Sequence, residues 1–346
     1  MISIIVPVYN AESDIKETLE SLLSQTYSDI EVVCINDGST DNSLSVINEA
    51  AKIDERIKVI SQENSGVSAA RNNGLAIAKG DIVMFVDADD SLVPKACEVV
   101  AETFLTKQCD VFTFGLRVEP PEAAPIILRR EMIPSDKVFE GFKSDLLFKE
   151  YSRPYACRTA VSRRLLQEHS IGFEPGIKLG EDQIFLFDVY PWSKKTVLSS
   201  EALYIYNMRG ESATHTITAA DQLEAKLNQH LSVISTIAKH WKNFGFSTNF
   251  CASELLEWFI DFLTLDINKL PGKKKKGYFG KLLEILTEYF GEPEVYASRR
   301  PTKALLANIR KIVNEKAEIS KVNLVRFYYM RRGFRKCVER VVLGGK

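Results

Sequence analysis

The sequence predicts an α/β protein, a doubly wound and mostly parallel sheet followed by a helical C-terminal region. Three observations carry this. Short Ile- and Val-rich runs recur over the first ninety residues with helical segments between them. Each run is apolar throughout rather than alternating, as strands covered on both faces are. From about Ala220 onward the apolar spacing becomes helical. The 346 residues suit two modest domains, placed at 1–219 and 220–346. A composition of 45% hydrophobic and 26% charged residues excludes a disordered or collagen-like chain.

Residues 3–8 form the first strand. In the next segment Ile15, Leu19, Leu22 and Leu23 share one helical face, with Ser13 and Asp14 in capping position. Residues 30–35 are the second strand and run into Asn36, Asp37, Gly38, Ser39 and Thr40. A helix over 41–51 and a strand over 57–61 follow, then a turn at Asn64, Ser65 and Gly66 and a helix over 67–78. The fourth strand, 82–86, ends in Asp87, Ala88, Asp89 and Asp90. Four β-α units in succession make a parallel sheet with right-handed crossovers. The four prolines of 117–134 predict a loop or edge hairpin, and 183–189 reads as an apolar helix. Further helices are expected over 223–239, 252–265, 281–290 and 302–318. Pro271, Gly272 and Lys273 to Lys276 should form a loop between two of them.

Residues 269–346 hold 20 Lys and Arg against 7 Glu, a net of +13, whereas the other 268 residues carry 25 basic and 39 acidic groups. A basic tail of this kind implies an anionic partner. The six cysteines are scattered without a C-x-x-C pair and read as reduced cytosolic thiols. The four histidines lack paired ligand spacing, which argues against structural zinc. No apolar stretch reaches the length of a membrane span, and the first residues do not read as a secretory leader, so a cytoplasmic location is expected.

In open parallel sheets the ligand lies outside the carboxyl ends of the strands. The first strand delivers Pro7, Val8, Tyr9 and Asn10 there, the second Asp37, and the fourth Asp87 and Asp89. No G-x-G-x-x-G follows the first strand and no G-x-x-x-x-G-K-[ST] occurs, which disfavours dinucleotide dehydrogenases and P-loop NTPases. Two residues apart in extended chain, Asp87 and Asp89 point to the same side. Their oxygens suit Mg²⁺ or Mn²⁺, ions that share coordination with phosphate and water. Asp37 is placed to accept a hydrogen bond from a base or ribose. Arg71 is placed either to pair with Asp87 or Asp89 or to approach a nucleotide.

Taken together, I-I-V-P-V-Y-N, I-N-D-G-S-T-D, N-S-G-V-S-A-A-R-N-N-G and F-V-D-A-D-D, in this order over residues 1–95, resemble glycosyltransferase family 2. The resemblance implies a GT-A fold, a nucleotide-sugar donor, UDP by family habit, and inversion at the anomeric carbon. It implies that Pro7, Val8, Tyr9 and Asp37 hold the nucleoside, that Asp89 binds the metal on the diphosphate, and that Asp87 lies near the ribose and the metal's water shell. Residues 1–100 then become the donor half and 101–219 the acceptor half.

An inverting transfer needs one carboxylate to take the acceptor's proton, and the nucleoside diphosphate leaves without an acid. Gly180-Glu181-Asp182 opens the apolar helix and resembles the family's base motif. A helix N-terminus favours an anion, so Asp182 is expected to be ionised and to act as the base, with Glu181 as the alternative. Tyr204 to His215 resembles the family's segment over the diphosphate, with Arg209 facing phosphate and His215 near metal or phosphate. Q-x-x-R-W is absent, in keeping with one sugar added per encounter.

The resemblance does not extend to the C-terminal region. There, 322–343 interleaves Phe327, Tyr328, Tyr329 and Phe334 with Arg326, Arg331, Arg332 and Arg335. Such a helix suits an anionic membrane surface and a lipid-linked acceptor; the alternative is a basic face packed on the protein's own body. No nucleic-acid motif is present. The expected activity is a metal-dependent, inverting transfer to a glycan or lipid-linked acceptor in surface polysaccharide or glycolipid synthesis. Its alternatives are a non-catalytic nucleotide-sugar or glycan-binding module and a polyprenyl-phosphate sugar transferase.

Overall fold

The computed structural model describes residues 1–124, 129, 131–208, 220–246, 250–315 and 317–338. The chain divides into two compact units, Met1–Thr216 and Ile217–Lys346.

The first unit is built on a nine-stranded sheet. Its strands are β1 (Ile2–Val8), β2 (Ile30–Asp37), β3 (Ile57–Gln62), β4 (Ile82–Phe85), β5 (Ser91–Leu92), β6 (Val111–Glu119), β7 (Lys137–Glu140), β8 (Thr159–Ser162) and β9 (Lys195–Asn207). They lie in the order β3-β2-β1-β4-β8-β6-β9-β5, with β7 paired to β9. The half β3-β2-β1-β4 is parallel, as are β6 and β9; β8 runs antiparallel to both β4 and β6. Every residue of β1 and of β2 is buried, which is why these strands read as unbroken apolar runs. Each such Ile or Val contributes about 1.5–3 kcal/mol by leaving water.

Helices α1 (Ile15–Leu23), α2 (Ser43–Ile53) and α3 (Val67–Ile77) connect the parallel strands. A Cβ at Gly74 would stand 2.4 Å from Ile5 Cγ2, so only glycine lets α3 lie this close to β1. One turn earlier, on the same face, is Arg71. That packing carries its guanidinium to the carboxyl end of the sheet. The second half of the unit adds α4 (Ala96–Lys107), α5 (Ser144–Phe148), α6 (Arg163–Glu168) and α7 (Glu181–Trp192). Arg117, read as the start of a loop, belongs to β6. The apolar helix expected over 183–189 runs from Glu181 to Trp192, with Glu181 and Asp182 in its first turn.

The second unit is helical: α8 (Ala220–Asn243), α9 (Ala252–Asn268), α10 (Gly272–Phe290), α11 (Pro293–Tyr296), α12 (Arg300–Asn314) and α13 (Lys321–Cys337). Helix α9 is buried along most of its length and is the core of this unit. Lys273 to Lys276 do not form a loop; they are the first turn of α10. Lysine is a good helix former, and salt bridges from Lys274 to Glu224 and from Lys275 to Glu318 offset the unfavourable position at a helix N-terminus.

The basic aromatic tail also departs in part from the membrane expectation. Phe327 and Tyr328 are fully buried. Arg331 Nε and Arg332 Nη2 donate to the buried Asp261 Oδ2 at 3.1 and 2.5 Å, and Arg331 also pairs with Glu257. These charges hold α13 on α9. Val322, Val325, Tyr329 and Phe334 remain exposed. Among the described residues no helix is long and apolar enough to cross a membrane.

Candidate active site

A cleft of about 540 Å³ opens at the carboxyl ends of β1, β2 and β4. Its lining brings together Pro7, Val8, Tyr9, Asn10, Asp37, Asp87 and Asp89, seven residues singled out in the sequence, with Asn64, Gly66 and Ala70 from the turn and first helical residues before Arg71. Tyr9 is exposed at the rim. Asn10 takes a left-handed backbone (φ 49°), a conformation that asparagine tolerates. Its Oδ1 accepts from Thr40 N at 2.8 Å and its own N–H donates to Ser39 Oγ at 3.1 Å, which fixes the loop after β2.

Asp37 is buried, and its carboxylate organises the opposite loop. Oδ1 accepts from Gln62 Nε2 and from Ser65 N, both at 2.7 Å, and Oδ2 accepts from Gly66 N at 2.9 Å. Gly38, at φ 68°, lies so close to this loop that a Cβ would meet Asn64 N at 2.8 Å.

In the acidic turn after β4 the three carboxylates divide by environment. Asp90 is buried and accepts from Tyr204 Oη at 2.6 Å and from Asn207 N at 2.9 Å, pinning the turn to β9. Burial and the neighbouring Asp87 push its carboxyl up to about 8, against the hydrogen bond from Tyr204. Asp89 is solvent-exposed yet raised too, first by partial desolvation within the cleft and then by Asp87. This oxygen-only, charge-rich turn fits a divalent cation that takes one or two protein carboxylates and completes its shell from phosphate and water. Among the described residues no group of three His, Cys, Asp or Glu side chains forms an all-protein metal cage. Asp89 is the better placed ligand, because Asp87 Oδ1 is engaged by Arg71 Nη2 at 2.8 Å.

Arg71 is 3% exposed and does not line the cleft. Its Nη1 donates to Glu181 Oε1 at 3.1 Å and to Asp182 Oδ1 at 3.2 Å, and its guanidinium sits 5.0 Å from the Phe173 ring. Of the two sequence readings for Arg71, the structure contains the ion pair with Asp87.

The helix N-terminus is not the strongest influence on Asp182. Its carboxyl is pushed up to about 7, by burial first and then by Glu181 and Asp87, while Arg71 and the N–H of Ala156 act the other way. A helix N-terminus is worth about 0.3–1 kcal/mol to an anion. Burial can raise a carboxyl by several units and therefore outweighs it. A proton acceptor balanced near neutrality is well matched to proton transfer at pH 7.

Arg209 and His215 lie outside the described residues. Three features were missed in the sequence: the cleft wall at Asn64 and Gly66, the anchoring of Asp90 by Tyr204 and Asn207, and the pairing of Arg71 with Glu181 and Asp182. The Asn64-Ser65-Gly66 turn at a sheet edge was the available signal for the first.

Residues 3–170 match the model described as glycosyl transferase family 2. The chain is 32% identical over 224 residues to the glycosyltransferase EpsJ of Bacillus subtilis, a match spanning 62% of this chain and 63% of that protein. It is 33% identical over 227 residues to a glycosyltransferase of Haemophilus influenzae, spanning 62% of this chain and 67% of the relative. Among solved structures, S. aureus TarS 1-349 in complex with UDP matches 96% of this chain and 92% of its own, at a TM-score of 0.72 and 21% identity. The same TarS region in complex with UDP-GlcNAc matches at a TM-score of 0.66 and 20% identity. These likenesses establish the GT-A fold.

Proposed function

Because the chain belongs to glycosyltransferase family 2, we propose that it transfers one hexosyl or N-acetylhexosaminyl unit, with inversion, from a UDP-sugar to a hydroxyl of a glycan or lipid-linked acceptor. Surface polysaccharide or glycolipid synthesis is the setting we infer. One observation carries the reading: the cleft gathers Pro7, Val8, Tyr9, Asp37, Asp87 and Asp89 at the binding edge of the sheet. The UDP and UDP-GlcNAc complexes of the TarS region support the choice of nucleotide.

In this mechanism Pro7, Val8, Tyr9 and the loop held by Asp37 receive the nucleoside. A Mn²⁺ or Mg²⁺ ion at Asp89, with Asp87 beside its water shell, would supply positive charge to the departing diphosphate. Asp182 takes the acceptor's hydroxyl proton as that oxygen bonds to the anomeric carbon and the bond to the diphosphate opens. Attack from the face opposite the leaving group inverts the centre. Arg209 and His215 are proposed to approach the diphosphate. The exposed stripe of α13, with Arg326, is proposed to meet an anionic membrane surface at the cytoplasmic face.

Asp182→Asn tests the base. UDP-sugar turnover should fall by about a thousandfold, with UDP affinity within about twofold of the parent. Near-normal turnover would remove the assignment. In the parent, kcat should rise with pH through about 7 as Asp182 loses its proton.

A further inference from the structure

We propose that Arg71 is a positioning residue, a strut that fixes the base on α7 relative to the donor-binding turn after β4 without touching substrate. The proposal rests on the transferase reading for the roles of its two ends. Arg71 is almost fully buried, yet it lies between groups separated in the sequence by about a hundred residues. At one end is Asp87 at 2.8 Å; at the other are Glu181 and Asp182 at 3.1 and 3.2 Å. One guanidinium thus faces three carboxylates, and the two nitrogens of its fork serve the two ends separately.

That geometry needs arginine. A lysine carries one compact ammonium, which cannot present two separated donors to two groups at once. The Phe173 ring, packed on the guanidinium, holds its plane in place. Phe173 is held in turn from the same helix as Arg71: Asn72 Oδ1 accepts from Phe173 N at 2.8 Å and Asn72 Nδ2 donates to Phe173 O at 2.7 Å. The neighbouring residues Arg71 and Asn72 therefore both brace the base side of the site from α3. Glu181 takes on a different role in this arrangement. It is an anchor for the strut, and its charge beside Asp182 raises the base's affinity for a proton.

The first arm of the test needs neither donor nor acceptor. In the full chain labelled with ¹³C at aspartate Cγ, the Asp182 resonance, assigned through Asp182→Asn, is titrated by NMR. The groups facing Asp182 are Arg71, Glu181, Asp87, Tyr155 and Cys157, with the N–H of Ala156. Arg71→Lys should raise the Asp182 midpoint by roughly one pH unit, and Glu181→Gln should lower it. UDP-GlcNAc turnover and UDP binding are followed in parallel with Mn²⁺ present. Arg71→Lys should lower kcat by at least about tenfold while KM for the donor changes by less than about threefold.

A midpoint within about 0.3 units of the parent in folded Arg71→Lys overturns the proposal. Should Arg71→Lys not fold, Phe173→Leu, which removes the ring packed on the guanidinium, decides in its place: a raised Asp182 midpoint supports the strut and an unmoved one rejects it. If Asp182→Asn keeps its turnover while the Arg71 variant shifts the midpoint, the base assignment fails and the strut stands. If Asp182→Asn is inactive and Arg71→Lys moves neither midpoint nor kcat, the strut fails and the base assignment stands.

Discussion

Asp37 shows how one side chain shapes a binding wall. Its oxygens accept from Gln62 and from two consecutive backbone N–H groups. Asp37→Asn would turn an amide donor toward one of those donors. A buried group left unsatisfied costs about 1–3 kcal/mol. We therefore expect the loop at Asn64 to loosen and UDP affinity, measured by calorimetry, to fall about tenfold. The cleft carboxylates were legible from the sequence because each follows an apolar strand whose carboxyl end is the binding edge. The partners of Arg71 were not. Glu181 and Asp182 lie 110 and 111 positions further on, and neither periodicity nor spacing carries information over that distance. Asp90 was hidden differently: its carboxylate looks like its neighbours until Tyr204 and Asn207 are seen to claim it.

At the scale of the element, α3 depends on Gly74. Gly74→Ala forces a methyl against Ile5 in the centre of the sheet, and overpacking of this kind costs about 1–3 kcal/mol. Chemical denaturation should show that loss, and the double variant with Ile5→Ala should lose less than the sum of the single changes. Helix α13 depends on charge as well as packing. Asp261→Ala removes the buried carboxylate that accepts from Arg331 Nε and Arg332 Nη2. Breaking a buried pair in this way costs about 3–5 kcal/mol, so Asp261→Ala should make α13 an early site of limited proteolysis. The strands β1 to β4 and their helices were legible because both faces are covered and the hydrophobic run is continuous. The short β7 and β8 were not, since four residues carry too little pattern. The lysine run misled because a charged stretch after Pro271 and Gly272 resembles a loop, while the acids that steady it come from elsewhere in the unit.

The molecule as a whole should respond to acid through its helical unit. His230 on α8 is buried against the Phe262 ring, 4.2 Å between centroids, and burial first, then Lys226, lowers it from 6.5 to about 4. The folded chain therefore resists a proton that the unfolded chain accepts below 6.5. Stability from this group is complete above that pH and drains away as pH falls toward 4. The thermal midpoint should drop over this interval, and His230→Phe should flatten that part of the profile. The change in apolar period near residue 220 lies close to the boundary between the sheet unit and the helical one. The burial of half the basic tail was not legible in the sequence, because its acidic partners lie on α9. All six cysteines are free and buried, and burial holds Cys34, Cys97, Cys109 and Cys251 up at about 12. Each is thus a silent reporter, inert to a thiol reagent until its surroundings open. Cys34, Cys97, Cys109 and Cys157 lie in the sheet unit, Cys251 and Cys337 in the helical one. Site-resolved alkylation of the unmodified chain would accordingly clock the breathing of each unit separately, with no probe introduced.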